Sequence, residues 1–362
     1  MQKIKRILFI FVLMAGISAL FGREESERLR LIHADILKRE NIGQQMVQKL
    51  EGNVKFQQGK TTIQCDMAIQ VLGSDEAALI GHVQIFDENK SLFADTVYFY
   101  QKERKQIARG NVRSITELDT TTADRMTYYE VEEKMVSEGR VRIINPKERK
   151  ILTSGYAEYY RTEEYGKIFE QPILIQYDSV GTEIMRIVGD TMETYNGGER
   201  TIVTGDVEIT KPGIMARCGQ AEYIKADEKM ILNDKPEVSQ RNQQISGDTL
   251  FLYLEESQLI RAEVVGQALA VSDADTLNKG RWVNKLTGHK MDFYFNNQEA
   301  EKVLVEKQAT SIYHVIEDNE YKGSNEVSGD KIALFLSDGE VVRVLVDSAP
   351  DVSMGKYLPP KL

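Results

Sequence analysis

The chain has 362 residues, of which 41% are hydrophobic and only seven are proline. This composition excludes a long disordered linker and provides enough apolar material for a continuous core. The formal net charge is −10, and acidic and basic residues are interleaved without a basic cluster, so we predict no nucleic-acid partner.

The N-terminus has the organisation of a secretory signal. Its first residues, MQKIKR, are basic, and the apolar run from Ile7 to Leu20 is shorter than the roughly 20 residues that a membrane-spanning helix needs. Small residues, Ala19 and Gly22, suit signal-peptide cleavage. We predict that residues 1–22 are a signal peptide, with a retained anchor as the alternative. No Cys follows the run, which disfavours a lipoprotein.

One phrase recurs along the rest of the chain, as LEGNVKF, LIGHVQIF, ARGNVRS and SEGRVRII. Its glycines, Gly52, Gly81, Gly110 and Gly139, are each 29 residues apart, and a valine follows each glycine by two positions. Weaker copies read TGDVEIT, NDKPEVS and VGQALAV. A strict period of this length indicates a repeat protein, which grows by stacking similar units.

A second phrase lies between these copies. Its first position is a small residue and its second is usually Asp. Its fourth position is apolar, and its sixth is apolar or aromatic. Its copies begin at Ala34, Cys65, Ala94, Ala123, Ser154, Gly189, Cys218, Gly247, Gly288 and Gly329. The repeat therefore covers the chain after the signal from end to end.

Both phrases alternate with period two, which is typical of a strand with one buried face. Each unit then offers two apolar rows to a shared interior. The inward residues that we predict to line it are Val54, Phe56, Val83, Ile85, Val97, Phe99, Val112, Met126, Tyr128, Val141 and Ile143. The copy at Cys65 departs from this parity in the sequence, because Met67, Ile69 and Val71 are its apolar residues, and we interpret this as a bulge or register shift.

No window outside the signal has a helical period, and turn sequences such as DENK and NGGER separate the runs. We predict an all-β fold of about twenty short strands that forms one continuous stack over residues 23–362. The wider spacing of the last copies predicts longer loops near 274–285 and 317–326.

An Asp column runs through the second phrase, at Asp35, Asp66, Asp95, Asp124, Asp190, Asp248 and Asp330. It could be a carboxylate ladder for Ca²⁺ or for acid–base chemistry, or a set of turn caps that bond local backbone N–H groups. We favour caps, because Gly155, Gly219 and His289 occupy the same slot in other copies.

The remaining chemistry-bearing residues do not indicate a site. Cys65 and Cys218 occupy positions where other copies have small residues and lie five units apart, so we predict buried thiols without a disulfide. The histidines lack metal-ligand spacing, and the chain has no nucleophile elbow, P-loop or zinc motif. We predict no cofactor, no metal and no enzymatic activity.

The phrases ADTVYFYQKERKQIARGNVRS and LEGNVKFQQGKTTIQCD resemble the OstA-like domain of lipopolysaccharide-transport proteins. That family includes the bridge protein LptA and the N-terminal domain of the translocon LptD. Its pattern of Ala-Asp, an aromatic residue and then Gly-Asn-Val stands here as Ala94 and Asp95, Tyr98 and Phe99, and GNV from Gly110. The resemblance is good from about 31 to 155 and from 188 to 223.

This resemblance implies an elongated antiparallel β-jellyroll in the periplasm, open along one side, whose apolar interior shields the acyl chains of lipopolysaccharide or a related glycolipid. It also implies strand-edge pairing with LptC-like and LptD-like jellyrolls. Two departures are the length, about twice that of the family's bridge proteins, and the acidic balance. A structural or adhesive β-solenoid with a packed interior and no ligand is the alternative, and a carbohydrate-active solenoid enzyme is a third.

Overall fold

The computed structural model describes residues 29–88, 90–255, 258–274, 280–296, 299–317, 320–337, 340–349 and 353–360. Strands dominate these residues, with one short 3₁₀ turn at Asn196–Gly198. The strands are β1 Arg30–His33, β2 Ile36–Ile42, β3 Gln45–Gln58, β4 Thr61–Val71, β5 Glu76–Asp87, β6 Lys90–Tyr100, β7 Lys105–Ile115, β8 Thr120–Tyr129, β9 Lys134–Asn145, β10 Lys150–Tyr160, β11 Tyr165–Phe169, β12 Ile173–Tyr177, β13 Glu183–Val188, β14 Thr191–Tyr195, β15 Arg200–Lys211, β16 Ile214–Ile224, β17 Lys229–Asn233, β18 Glu237–Gln240, β19 Gln243–Ser246, β20 Thr249–Glu255, β21 Gln258–Asp273, β22 Val283–Asn296, β23 Glu299–Glu317, β24 Glu320–Ser337, β25 Glu340–Asp347 and β26 Met354–Leu358.

The predicted all-β fold is confirmed, and the strand pairings between described residues are antiparallel. The 26 strands correspond to the expected number of about twenty, because six long strands are each split in two at a corner. The split strands are β1 with β2, β11 with β12, β13 with β14, β17 with β18, β19 with β20, and β25 with β26.

The chain forms two compact units. Unit 1 extends to Ile184 and includes Asp190–Gly198, and unit 2 consists of Met185–Gly189 and the chain from Glu199 onward. The sequence has no composition shift at this boundary, so a single stack was expected. The continuity of a jellyroll over residues 23–362 stays a prediction.

The glycine phrase forms a corner in the middle of its strand. In β7 the corner residues Gly110 and Asn111 have φ angles of 76° and 48°, in the left-handed region that suits Gly and is tolerated by Asn. The register of β7 against β8 shifts between Arg109 and Val112, so the corner is a bulge that bends the strand. The same shift recurs in most of the repeats, including those of β3, β5, β15, β21 and β23.

Two columns of buried residues follow from this corner. One column lies two residues after the glycine slot, at Val54, Val83, Val112, Val141, Val207, Ala268 and Ala309, and none of these is more than 1% exposed. The other lies two residues after the Asp slot, at Ala68, Val97, Met126, Ala157, Met192, Ala221, Leu250, Met291 and Ile332. Each unit therefore has both kinds of buried column, and the repeat derived from the sequence is the packing unit of the core.

The break in parity predicted for the Cys65 copy was wrong, although the register shift is present. Its parity is the same as in other copies, because Cys65 and Ala68 are buried at the usual inward positions. Met67 and Ile69 are half-buried on the other face. The register shift between Gln64 and Met67 is the corner that most copies share.

The predicted long loops differ from the structure in part. Residues 320–326 belong to β24 and residues 283–285 to β22, so the wide spacing of the last copies is taken up by longer strands. The predicted signal peptide lies outside the described residues. Among the residues that are described, no helix is long and apolar enough to cross a membrane.

Candidate functional site

The predicted inward residues occupy the core side of their strands in unit 1. All of them are buried except Phe56 and Ile143, which are half-buried. Val97, Met126 and Ile85 have no exposed surface. The rows are thus covered by the protein itself, and a lipid chain would need the facing rows to separate. Their role in lipid binding stays a prediction.

The inward rows end on polar residues near one set of hairpins. Six positions after the corner glycine, where the third inward side chain falls, the chain has Gln58, Asp87, Thr116, Asn145 and Lys211. Lys211 is half-buried, and burial lowers the pKa of its ammonium group. Each row therefore changes from apolar to polar side chains along its length, as an amphiphilic lipid changes from its acyl chains to its head group.

Asp119 lies in one of these hairpins and is only 5% exposed. Burial raises the pKa of its carboxyl to about 6, with a smaller contribution from the charge of Glu148, although Asn145 donates a hydrogen bond to it. Sequence patterns did not single out Asp119, because it lies in a turn between the two phrases.

Tyrosine hydroxyls line the interior near the opposite set of hairpins. Tyr128 is 2% exposed, and burial, followed by the charge of Glu133, raises its pKa even though Arg161 donates a hydrogen bond to it. Burial also raises the pKa of the neighbouring inward Tyr159 to about 12. Both phenols are therefore neutral at physiological pH.

The Asp column pairs with the corners across strands. Asp95 accepts a hydrogen bond from Asn111 Nδ2 at 3.0 Å, and a Cβ on Gly110 would lie 2.2 Å from Asp95 Oδ2. The same pairing holds for Asp35 with Asn53 and, as an ion pair, for Asp124 with Arg140. The acid therefore fills the space that the glycine leaves and bonds the side chain after it, which differs from the expected cap on local backbone.

Two of the three copies that lack Asp in this slot carry the acid on the partner strand, and the third, with His289, does not. Where Gly155 occupies the Asp slot, the side chain of Glu170 lies against it, and Gly219 meets Asp234 in the same way. Glu170 and Asp234 have φ angles of 64° and 61°, so they occupy the corner position. Each such corner has room for one side chain, and either strand can supply it. Comparing the two slots of each hairpin in the sequence would have revealed this complementarity.

The other candidate groups are structural or isolated. Cys65 and Cys218 are buried free thiols, and burial raises the pKa of each to about 11. No group of three His, Cys, Asp or Glu residues within the described ranges has an arrangement that could hold a metal ion. His82 bonds Asp66 at a corner, and this hydrogen bond raises its pKa.

One family model and several solved structures are similar to part of this chain. The family model described as OstA-like protein matches residues 26–171. Among solved structures, LptH from Pseudomonas aeruginosa, described as the LptA homologous periplasmic component of the conserved lipopolysaccharide transport device, is 17% identical. That match covers 40% of this chain and 95% of LptH, with a TM-score of 0.31.

No curated protein matches the chain. The family match falls on the strongest copies of the two phrases and lies within the region of unit 1. It agrees with the resemblance that the phrases themselves carry. Residues 26–171 are therefore similar to the OstA-like family, and the strands of unit 1 are antiparallel, as this resemblance implies.

Proposed function

We propose that this protein is a non-enzymatic, periplasmic lipid-binding protein that shields the acyl chains of lipopolysaccharide during transport to, or assembly in, the outer membrane. The OstA-like match over residues 26–171 is the observation that carries this proposal. The inward rows supply the chemistry, since each acyl methylene that leaves water contributes about 0.8 kcal/mol.

The polar ends of the rows suggest how a glycolipid would lie. Acyl chains would contact the columns that contain Val112 and Met126, and the polar head would remain near Gln58, Asn145 and Lys211. Phe56 and Ile143 are the inward residues two positions before Gln58 and Asn145. They are half-buried, so they would contact the lipid first.

Exposed apolar strands at the two ends of the described chain support pairing with other jellyrolls. Leu31 and Leu37 are 46% and 55% exposed on β1 and β2, and Val342 and Met354 are each 65% exposed on β25 and β26. Within the described residues, β1 and β2 pair with β3, and β25 and β26 pair with β24. Such edges recruit further strands, and LptC-like and LptD-like proteins are the partners that we propose.

Site-specific photocrosslinking in cells tests the lipid-binding proposal. A photoreactive residue at Phe56, Phe99 or Tyr128 should capture lipopolysaccharide. The same residue at Lys55 or at the exposed, outward Arg113 should not. Absence of lipid adducts from every inward position would refute the proposal.

The complete burial of Val97 and Met126 favours a second candidate, a structural β-solenoid with a packed interior. The two candidates differ in the effect of a polar residue at Phe99, which is 8% exposed. In a lipid carrier, Phe99→Gln should leave a folded protein that captures less lipid. In a packed solenoid the variant should unfold, as thermal melting would show.

A further inference from the structure

Cations and aromatic rings alternate across the outer face of unit 2. The row runs from β17 to β25, and each member lies directly opposite the next in the strand register. We call this row the cation–ring ladder, and its members are Lys229, Tyr253, Arg261, Tyr294, Lys302, Phe335 and Arg343.

The ladder faces away from the core. The neighbours of its members along each strand, such as Ala262, Phe293 and Val303, are buried at 4%, 7% and 5% exposure. Since successive side chains of a strand point to opposite faces, the ladder side chains point outward. Tyr294 is 37% exposed, in agreement with this placement.

Ring contacts hold the cations of the ladder in place. Lys302 Nζ lies 5.6 Å from the Tyr294 ring centroid and 5.8 Å from that of Phe335. Arg343 Cζ lies 5.7 Å from the Phe335 centroid, and Lys229 Nζ lies 5.2 Å from the Tyr253 centroid. A cation held between rings has already lost much of its side-chain freedom, which lowers the entropic cost of binding an anion.

The charge of the ladder is only partly neutralised. Arg261 forms ion pairs with Glu263 and Asp292 at 3.2 and 2.5 Å. Lys229, Lys302 and Arg343 form no ion pair with any residue that the structure describes. Three cations of one face are thus available to an anionic ligand.

A similar row in unit 1 lacks this property. Lys105 lies over Tyr100 at 5.0 Å and Lys134 over Tyr160 at 5.0 Å, so strand geometry and ring contacts are the same. Lys105, however, pairs with Glu103, and Lys134 pairs with Glu158 at 2.8 Å. Ring contact alone therefore does not leave a cation unpaired. In unit 1, Arg109 and Arg113 also lie over rings without an ion pair among the described residues, but they are not part of this row.

The spacing of the cations indicates the form of the ligand. Neighbouring strands are about 4.8 Å apart, so Lys229 and Lys302, which are four strands apart with the ion-paired Arg261 between them, are separated by about 20 Å. Lys302 and Arg343 are two strands apart and are separated by about 10 Å. This is close to the length of one disaccharide in an extended polysaccharide. We infer that the cation–ring ladder of unit 2 binds a linear polysaccharide that carries one anionic group per disaccharide and lies across the strands.

Each part of such a polymer has a counterpart on the ladder. Carboxylates would bind Lys229, Lys302 and Arg343. The exposed ring of Tyr294 and the half-buried ring of Phe335 would contact sugar C–H groups between them. This function is separate from lipid binding inside the jellyroll, because the ladder lies on the opposite face of the same strands. Either proposal can fail without the other.

Hyaluronan fragments provide the test, because they carry one carboxylate per disaccharide. Calorimetric titration of the full chain with a hyaluronan octasaccharide should show binding that weakens with added salt. The uncharged chitin octasaccharide should not bind. Lys302→Gln combined with Arg343→Gln should weaken hyaluronan binding by about fivefold to tenfold, and Tyr294→Ala should weaken it as well.

Lys105→Gln in unit 1 is the matched control, since it removes a ring-bound lysine that already has a carboxylate partner, and it should bind as the unaltered chain does. Thermal melting of every variant checks that it folds. Equal affinity for both glycans, no loss in the unit 2 variants, or an equal loss in Lys105→Gln would overturn the inference. Preferential binding of a thymidine oligonucleotide would overturn it too.

Discussion

The two units use one strand geometry and differ in how charge is distributed on it. Each has both kinds of buried column, with Met126 in unit 1 and Met291 in unit 2 at equivalent places and no exposed surface on either. On the outer face, Lys134 of unit 1 has a carboxylate partner, whereas Lys302 of unit 2 has only rings among its described contacts. The comparison shows that packing constrains the inner positions, while the charge on the outer positions is free to change.

Substitutions in the buried column two residues after the Asp slot should have the largest effect on stability. Met126→Ala and Met291→Ala each remove a fully buried side chain and leave a cavity, so each should lower the free energy of unfolding by about 3 kcal/mol. Urea denaturation followed by circular dichroism measures both. A cost below about 1 kcal/mol in one variant alone would show that the two columns are not equivalent.

Placing a second acid at a corner should lower stability strongly, and removing the first acid should restore it. Gly110→Asp places a Cβ against Asp95 at a left-handed corner and should destabilise the protein by about 3 kcal/mol. Adding Asp95→Gly recreates the arrangement of Gly219 with Asp234 and should recover most of this loss. Urea denaturation of the two single variants and the double variant measures their coupling.

Asp95→Gly alone serves as the control, because it removes one exposed hydrogen bond and should cost about 1 kcal/mol. Complementary corners require that the double variant be more stable than Gly110→Asp. If the two substitutions were simply additive, the corner would not be limited to one side chain.

Asp119 should make stability depend on pH in unit 1. Its folded pKa of about 6 lies above the ordinary value of 3.8, so its favourable contribution is complete below about pH 4 and is lost as the pH rises through 6. Asp119→Asn should therefore be more stable than the unaltered protein by about 2 kcal/mol at pH 8, and not at pH 4. Thermal melting across this range measures it, and an equal shift at both pH values would contradict the assignment.

The smallest expected effect is the difference in stability between lysine variants of the two outer rows. Burial lowers the pKa of Lys134, but hydrogen bonds to Glu158 and Tyr160 outweigh it and raise the pKa above its usual range. Lys134→Gln removes the charge that balances Glu158 and should cost about 1 to 2 kcal/mol. Lys302→Gln removes only ring contacts and should cost about 0.5 kcal/mol in the same urea assay. A larger cost for Lys302 would contradict the difference between the rows.

The sequence predicted the core well because the corner imposes a rigid spacing. A glycine and the valine two positions later, as at Gly110 and Val112, mark both the bend and the buried column. Alternation of apolar residues predicted the wrong inward face at Ala68, because the outward Met67 and Ile69 are more hydrophobic than the small residue that packs inside. Hydrophobicity alone misleads when the column has room only for a methyl group.

Other features depend on contacts between different copies of the phrases, and these contacts cannot be predicted from one sequence position at a time. Gly219 seemed to be a gap in the Asp column, because its compensating Asp234 lies on the next strand. The ladder has a sequence signal that strand periodicity does not use, an aromatic residue near the end of one strand and a cation near the start of the next, as in Tyr294 and Lys302. Burial of Asp119 depends on how a hairpin folds back, which strand periodicity does not encode.

The one-side-chain corner also determines how the strands align. If β7 slipped by one residue along β6, Asp95 would face Arg109 or Asn111 instead of Gly110, and its side chain would collide with a Cβ. Register in a two-faced sheet is otherwise specified by which side chains are apolar and by the geometry of the hairpin turns. A protein built from similar hairpins could pair in many offsets, and each corner of this kind rejects all of them except the one in which glycine meets acid.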